Sequence, residues 1–211
     1  MSPRVNTVTV ALAGLLTGAS ALAGGPDATV YSTDFESGTP SGVWSVDVVA
    51  QTVGLSRFLG RFGNTSATMS IALKAGVQHE LSFDFYAIDS WDGSDTPWGP
   101  DSFGVRIAGQ EVFKETFSGF DGPQTYASRP DRAGEFGFGW WNDSVFHLSM
   151  LFTSDAANTT IEFFAQGLEP MSNESWGLDN VSVREIAAVP APGGAALLGA
   201  TGLMGLRRRR R

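Results

Sequence analysis

Alternation of apolar and polar residues at a period of two is the feature that most restricts this chain. Leu81, Phe83 and Phe85 alternate with Ser82, Asp84 and Tyr86, and Phe146, Leu148, Met150 and Phe152 alternate with His147 and Ser149. Successive side chains of a β-strand point to opposite faces, so such a run buries one face and leaves the other in water. Trp44, Val46 and Val48 repeat the pattern against Ser45 and Asp47. Further strands are expected over 29–35, 67–73, 102–107, 161–165 and 181–184, bounded by Gly, Asn, Asp and Pro clusters. No ten-residue window of the central region carries a helical stripe. Eight or more short strands at this spacing predict an all-β chain, a two-sheet antiparallel β-sandwich of the jelly-roll kind. The 26 Gly, 15 Phe and six Trp suit that reading, and the lack of cysteine leaves the core, with or without a metal, to hold it together. Segment 117–142, rich in Gly, Pro, Asp and aromatics, breaks the rhythm and is expected to be a functional loop or a mobile one.

The two ends read as addresses. Residues 1–23 have the three parts of a secretory signal: a lone charge at Arg4, an apolar run from Val10 to Leu16, and the small-x-small site Ala21-Leu22-Ala23. At the other end, 188–211 reads Val189-Pro190-Ala191-Pro192-Gly193-Gly194, then twelve small or apolar residues, Ala195 to Leu206, then Arg207, Arg208, Arg209, Arg210 and Arg211. Proline stops a strand because it lacks the N–H a ladder needs. Twelve residues of helix reach roughly 18 Å, short of a hydrocarbon core of roughly 30 Å, and the arginine block resists translocation. This order of proline motif, short apolar stretch and terminal arginines resembles the PEP-CTERM sorting signal of bacterial exosortase systems. Ala191 stands where that family carries a central Glu. The resemblance implies export, a transient membrane association through the tail, and an exosortase-like enzyme of the inner membrane as partner.

Between these ends, 24–187 is one domain with enough chain for a core. It holds all 22 acidic residues and eight of the 14 basic ones, a formal charge of −14 against −8 for the whole chain. Such a charge argues against nucleic acid and anionic membranes as ligands and favours solubility and cation binding.

Three stretches stand out: Phe58-Leu59-Gly60-Arg61-Phe62-Gly63-Asn64, the run from Phe83 through Trp91-Asp92-Gly93, and Glu174-Ser175-Trp176-Gly177-Leu178-Asp179-Asn180-Val181. Together they resemble secreted bacterial β-sandwich modules, often fused to surface-sorting tails, and look like the carbohydrate-binding jelly rolls of polysaccharide-degrading enzymes. In those jelly rolls the first and last strands commonly meet around a structural calcium, which implies Asp34, Glu36 and Asp179 here. The residues carry their own signal: parity slips between Leu178 and Val181, so a bulge is expected at Asp179 or Asn180, able to turn a carboxylate and a carbonyl to one point. The other reading of these acids is a solvated edge with Asp and Asn serving turns.

A second candidate cation site is the loop carrying Asp89, Asp92, Asp95 and Asp101, where only a cation or full solvation tolerates so much like charge. Trp91 and Trp98 flank that loop, and Trp140 and Trp141 precede Asn142 and Asp143. Tryptophan beside carboxylates suits a sugar, whose apolar face stacks on the ring while polar groups fix its hydroxyls. Paired tryptophans in a sandwich also serve sheet packing. Catalysis finds little support. His79, expected in a turn, and His147, on a polar strand face, have no nucleophile partner, and Glu162 has no acidic neighbour two or four residues away. The expected protein is therefore a non-catalytic module of the cell surface or extracellular matrix that binds polysaccharide, with calcium as a structural ion. Alternatives are a passive coat unit without a small-ligand site and, further off, a glycoside-active enzyme.

Overall fold

A computed structural model of the chain describes residues 27–94, 97–119 and 122–187; the expected secretory signal, the expected sorting tail and Asp95 lie outside these. The described residues form eleven strands: β1 (Ala28–Thr33), β2 (Val49–Ala50), β3 (Phe58–Phe62), β4 (Ser66–Ala72), β5 (Gln78–Asp89), β6 (Ser102–Ile107), β7 (Gln110–Thr116), β8 (Arg132–Gly134), β9 (Asp143–Thr153), β10 (Asn158–Gln166) and β11 (Glu174–Glu185). One sheet runs β2-β3-β11-β5-β9-β8 with β1 also on β11, and the other runs β4-β10-β6-β7. Every pairing is antiparallel. This is the all-β, two-sheet sandwich that the alternation predicts. Among the described residues no helix is long and apolar enough to cross a membrane.

The core is aromatic because the inward positions of β5 are. Phe83 meets Phe163 of β10 edge-on at 5.0 Å, and Phe85 stacks on Phe103 of β6 at 4.1 Å. Phe103 in turn meets Trp176 of β11 at 5.5 Å. Each fully buried large apolar side chain contributes roughly 1.5–3 kcal/mol, and a well-placed aromatic pair about 0.5–1.5 kcal/mol more. A cysteine-free domain can rest on such a layer.

β11 shares one of its edges between two partners. Val181 to Glu185 pair with β1, whereas Trp176 to Leu178 pair with β3. The handover is the bulge: the register against β5 shifts between Asp179 and Ser182, and Asn180 takes φ +49°. The parity slip in the sequence has this cause.

Three expectations are corrected. The 44–48 segment is not a strand, because it crosses between sheets: the Ser45 N–H donates to Thr68 of β4, while the Val48 carbonyl accepts from Gly60 of β3. His79 is not in a turn but wholly buried in β5, its ring stacked on Phe152 at 5.6 Å. The 117–142 segment is partly packed. It contains β8, and its Phe136 and Phe138 join Leu55, Phe58, Tyr86, Ile88 and Val145 in a second apolar cluster on the outer face of the large sheet. That cover explains why β5 loses its alternation after Phe85 and is buried on both faces from Tyr86 to Asp89.

Candidate functional site

The strand ends gather the chemistry. β5 ends opposite the start of β11, with Asp89 paired to Glu174, and β10 ends opposite the start of β6, with Gln166 paired to Ser102. Hydrogen bonds tie the loops of this end to each other: the Ser90 N–H donates to the Asn173 carbonyl, the Asp101 N–H to the Gly93 carbonyl, and the Gly119 N–H to the Trp91 carbonyl.

Asp92, Asp101 and Glu174 each present a carboxylate oxygen, and the three oxygens lie within 4.8 Å of one another. Asp101 and Glu174 are fully buried. Each is tethered by one oxygen: Asp101 Oδ2 accepts the Asp92 N–H at 2.5 Å, and Glu174 Oε2 accepts the Glu169 N–H at 2.5 Å. The other oxygens, Oδ1 of Asp101 and Oε1 of Glu174, meet no donor. Burial, reinforced by acidic neighbours, pushes Glu174 up to about 8 and Asp101 up to about 6. Among the described residues no salt bridge reaches either of them. Buried charge without a basic partner is costly, so the arrangement calls for a shared proton or a cation. Three hard carboxylates converging on one point can hold a metal ion.

Of the four aspartates expected to act together, Asp95 lies outside the described residues, and among the other three the structure joins Asp92 and Asp101. Asp89 turns into another network, with Arg61 Nη2 3.4 Å from its Oδ2 and its own N–H donating to Asp143 Oδ1 at 3.0 Å. Burial pushes Asp89 and Asp143 up as well. Glu174 is the member that sequence reasoning missed. Its signal was position: an acid heading the unbroken run Ser175-Trp176-Gly177-Leu178, all of it buried.

The terminal-strand set is dispersed. Asp179 is buried and already satisfied, Oδ2 accepting from the Tyr86 hydroxyl at 2.9 Å and the Ser56 hydroxyl at 3.0 Å, and Oδ1 from the Asn180 N–H at 2.7 Å. Asp34 Oδ1 accepts the Glu36 N–H, and Glu36 Oε1 the Arg57 N–H. Among the described residues Asp34, Glu36 and Asp179 do not bring their oxygens to a common point; only Asp92, Asp101 and Glu174 do.

The tryptophans separate by burial. Trp91 has no exposed surface; its Nε1 donates to the Ser175 carbonyl at 2.9 Å and its ring packs on Phe85 and Phe117, so it offers no stacking platform. Trp98, Trp140 and Trp141 are exposed, Trp140 at 92 %. Beside Trp141, Asn142 lines an open cleft of about 590 Å³ with Ser118, Gln124, Arg129 and Ser144. Its walls mix these donors and acceptors with Gly119, Gly122, Pro130 and Ala133.

No protein-family model matches the sequence, and no curated protein matches it. Among solved structures the fold is similar to part of latent PorU from Porphyromonas gingivalis, at 13 % identity and TM-score 0.46, over 81 % of this chain and 14 % of that one. It is similar to the carbohydrate-binding module CBM6cm-2 of Cellvibrio mixtus lichenase 5A, solved with cellotriose, at 9 % identity and TM-score 0.39, over 75 % of this chain and 98 % of the module. A CBM35 from Paenibacillus barcinonensis matches at 15 % identity and TM-score 0.36, over 75 % and 98 %. At these scores the likenesses carry no argument about what this chain binds.

Proposed function

We propose that the protein is an exported, non-catalytic β-sandwich of the cell surface or extracellular matrix that binds polysaccharide at its loop end, after sorting of its tail by an exosortase-like enzyme. The observation that carries the binding reading is the cleft of about 590 Å³ lined in part by Asn142, the residue that follows exposed Trp140 and Trp141 in the chain. Sugars need that pairing, an apolar ring face for stacking and polar groups for the hydroxyls. The formal −14 of the domain suits a neutral glycan better than an anionic one. Calcium is the ion we propose for the domain, since its densest acidic cluster offers only hard carboxylate oxygens.

The non-catalytic half of the reading rests on the same geometry. The carboxylates with raised pKa values, Asp89, Asp101, Asp143, Glu174 and Asp179, are all buried away from any substrate. His79 is buried, and His147 Nδ1 lies 2.8 Å from Asp84 Oδ1 on an exposed face.

The test is a glycan array probed with the full chain and with Trp140→Ala, Trp141→Ala and Arg129→Ala. Binding to a polysaccharide that the tryptophan variants lose supports the reading. Silence across the array replaces it with a passive coat unit, and release of reducing sugar replaces it with an enzyme. Retention of the chain by cells, lost on deletion of 189–211, is the matching test of sorting.

A further inference from the structure

We propose that Asp92, Asp101 and Glu174 form a calcium site that fastens the base of the 92–101 loop to the start of β11. The proposal draws on the functional reading only for the choice of ion, and it stands whether or not the domain binds a glycan.

Several independent features meet at this point. Asp101 and Glu174 are both wholly buried, and each spends one oxygen on a backbone N–H, which fixes the direction of the other. Asp101 Oδ1 and Glu174 Oε1 have no donor, and each of these two acids presents a carboxylate oxygen within 4.8 Å of one from the other and of one from Asp92. Native domains rarely leave buried acceptors unanswered, and each such orphan calls for an explanation. An isolated protein group supplies none here, since neither acid has a basic partner among the described residues.

The donor set selects the ion. It contains no histidine or cysteine, which sets it apart from zinc and copper sites. Magnesium holds on to its waters and demands near-octahedral geometry, whereas calcium accepts irregular sets of carboxylates and carbonyls. Two of the three ligands lie in a dry interior, and half-buried Asp92 leaves the outer side open to water.

The fold gives the ion a task. Asp92 and Asp101 are the two ends of the loop that carries exposed Trp98, and Glu174 opens the strand at the centre of the large sheet. An ion bridging them joins that loop to the sheet without a disulfide. Without the ion, the two buried acids must share a proton instead, each presenting an oxygen within 4.8 Å of the other.

The experiment uses terbium, which replaces calcium at oxygen sites and emits when a nearby tryptophan is excited. Buried Trp91 is placed for this, its Nε1 bonded to the carbonyl of Ser175, the residue after Glu174. The full chain should show tryptophan-sensitised terbium emission that calcium displaces, and a calcium-dependent rise in melting temperature of several degrees over chelator. Glu174→Gln and Asp101→Asn, which keep side-chain shape, should each abolish both signals, and each should melt higher than the parent in chelator because one fewer buried acid has to be kept neutral or unpaired. Glu36→Gln should leave both signals intact. No emission and no shift at millimolar calcium in the parent chain would overturn the proposal in favour of a shared proton. So would a calcium shift that survives both Glu174→Gln and Asp101→Asn, or one lost in Glu36→Gln instead, which would put the ion at the terminal strands. None of these readouts involves a glycan, so a silent array leaves the site standing and a failed site leaves the array result standing.

Discussion

Glu174 and Asp179 sit five residues apart in β11, are both buried, and have opposite surroundings. Asp179 has three donors, from Ser56, Tyr86 and Asn180, and so fills its lone pairs with protein groups. Glu174 has one, the Glu169 N–H, leaves its second oxygen without a donor, and lies against two further carboxylates. Burial raises both pKa values, but at Asp179 the hydrogen bonds pull back against it. The difference teaches that burial of an acid does not mark a metal site; shortage of donors does. Asp179 is an anchor for the bulge, and Glu174 is a ligand in search of an ion.

The largest effect expected from this contrast is at Asp179. Asp179→Ala leaves the buried Tyr86 hydroxyl without an acceptor, and takes a partner from the Ser56 hydroxyl and the Asn180 N–H, which belong to exposed residues. The buried orphan costs about 1–3 kcal/mol, so with the two lesser losses the domain should lose about 3 kcal/mol and melt several degrees lower. The calcium shift should remain. A variant that melted normally but no longer answered calcium would reverse the assignment of the two acids.

A smaller effect is expected from pH. In chelator, the folded state holds Glu174 with a pKa near 8, above its ordinary 4.5, so between these values the native chain binds more protons than the unfolded one. Stability must then fall as pH rises through that window and be recovered as pH drops. From pH 7 to 5.5 a single such proton contributes about 2 kcal/mol of added stability, at 1.36 kcal/mol for each unit. Urea unfolding at the two pH values measures it, and Glu174→Gln should flatten most of the slope. A slope unchanged in that variant would assign the proton to Asp89, Asp143 or Asp179, all of them raised by burial too.

Next in size is Tyr86→Phe, which removes one of the three donors to Asp179 and keeps the ring packed on Phe58 at 5.0 Å. The expected loss is about 1 kcal/mol, the ordinary net value of one hydrogen bond. A loss as large as that of Asp179→Ala would mean that the phenol alone holds the carboxylate.

The architecture was legible in the sequence wherever one strand face met water, since alternation records just that. Phe83 and Phe85 declared β5, and the slip after Leu178 declared the bulge that Asn180 makes at φ +49°. Alternation failed at Tyr86 to Asp89, where Phe136 and Phe138 return from a distant segment to cover the outer face. The acidic site was half legible for a related reason. Asp92 and Asp101 lie in one loop and could be seen together, but Glu174 comes to them only through the pairing of β11 with β5. The terminal-strand acids shared the same composition and were brought to no common point, because Ser56 and Tyr86 claim Asp179 first.

The tryptophans repeat the contrast at the level of packing, and they supply the smallest expected change in stability. In sequence Trp91 and Trp141 look alike, each followed by a polar residue and near an aspartate. In the fold Trp91 closes the core, whereas Trp140 lies 92 % in solvent. Trp140→Ala should therefore alter stability by no more than about 0.5 kcal/mol, as surface substitutions do. The proposed glycan-binding role gives so exposed a ring a contact outside the domain. If Trp140→Ala melts like the parent and loses a glycan that the parent binds, the exposed ring is the contact surface. If it melts several degrees lower, the ring is packing against residues of this chain, and the stacking platform must be sought at Trp98 or Trp141 instead.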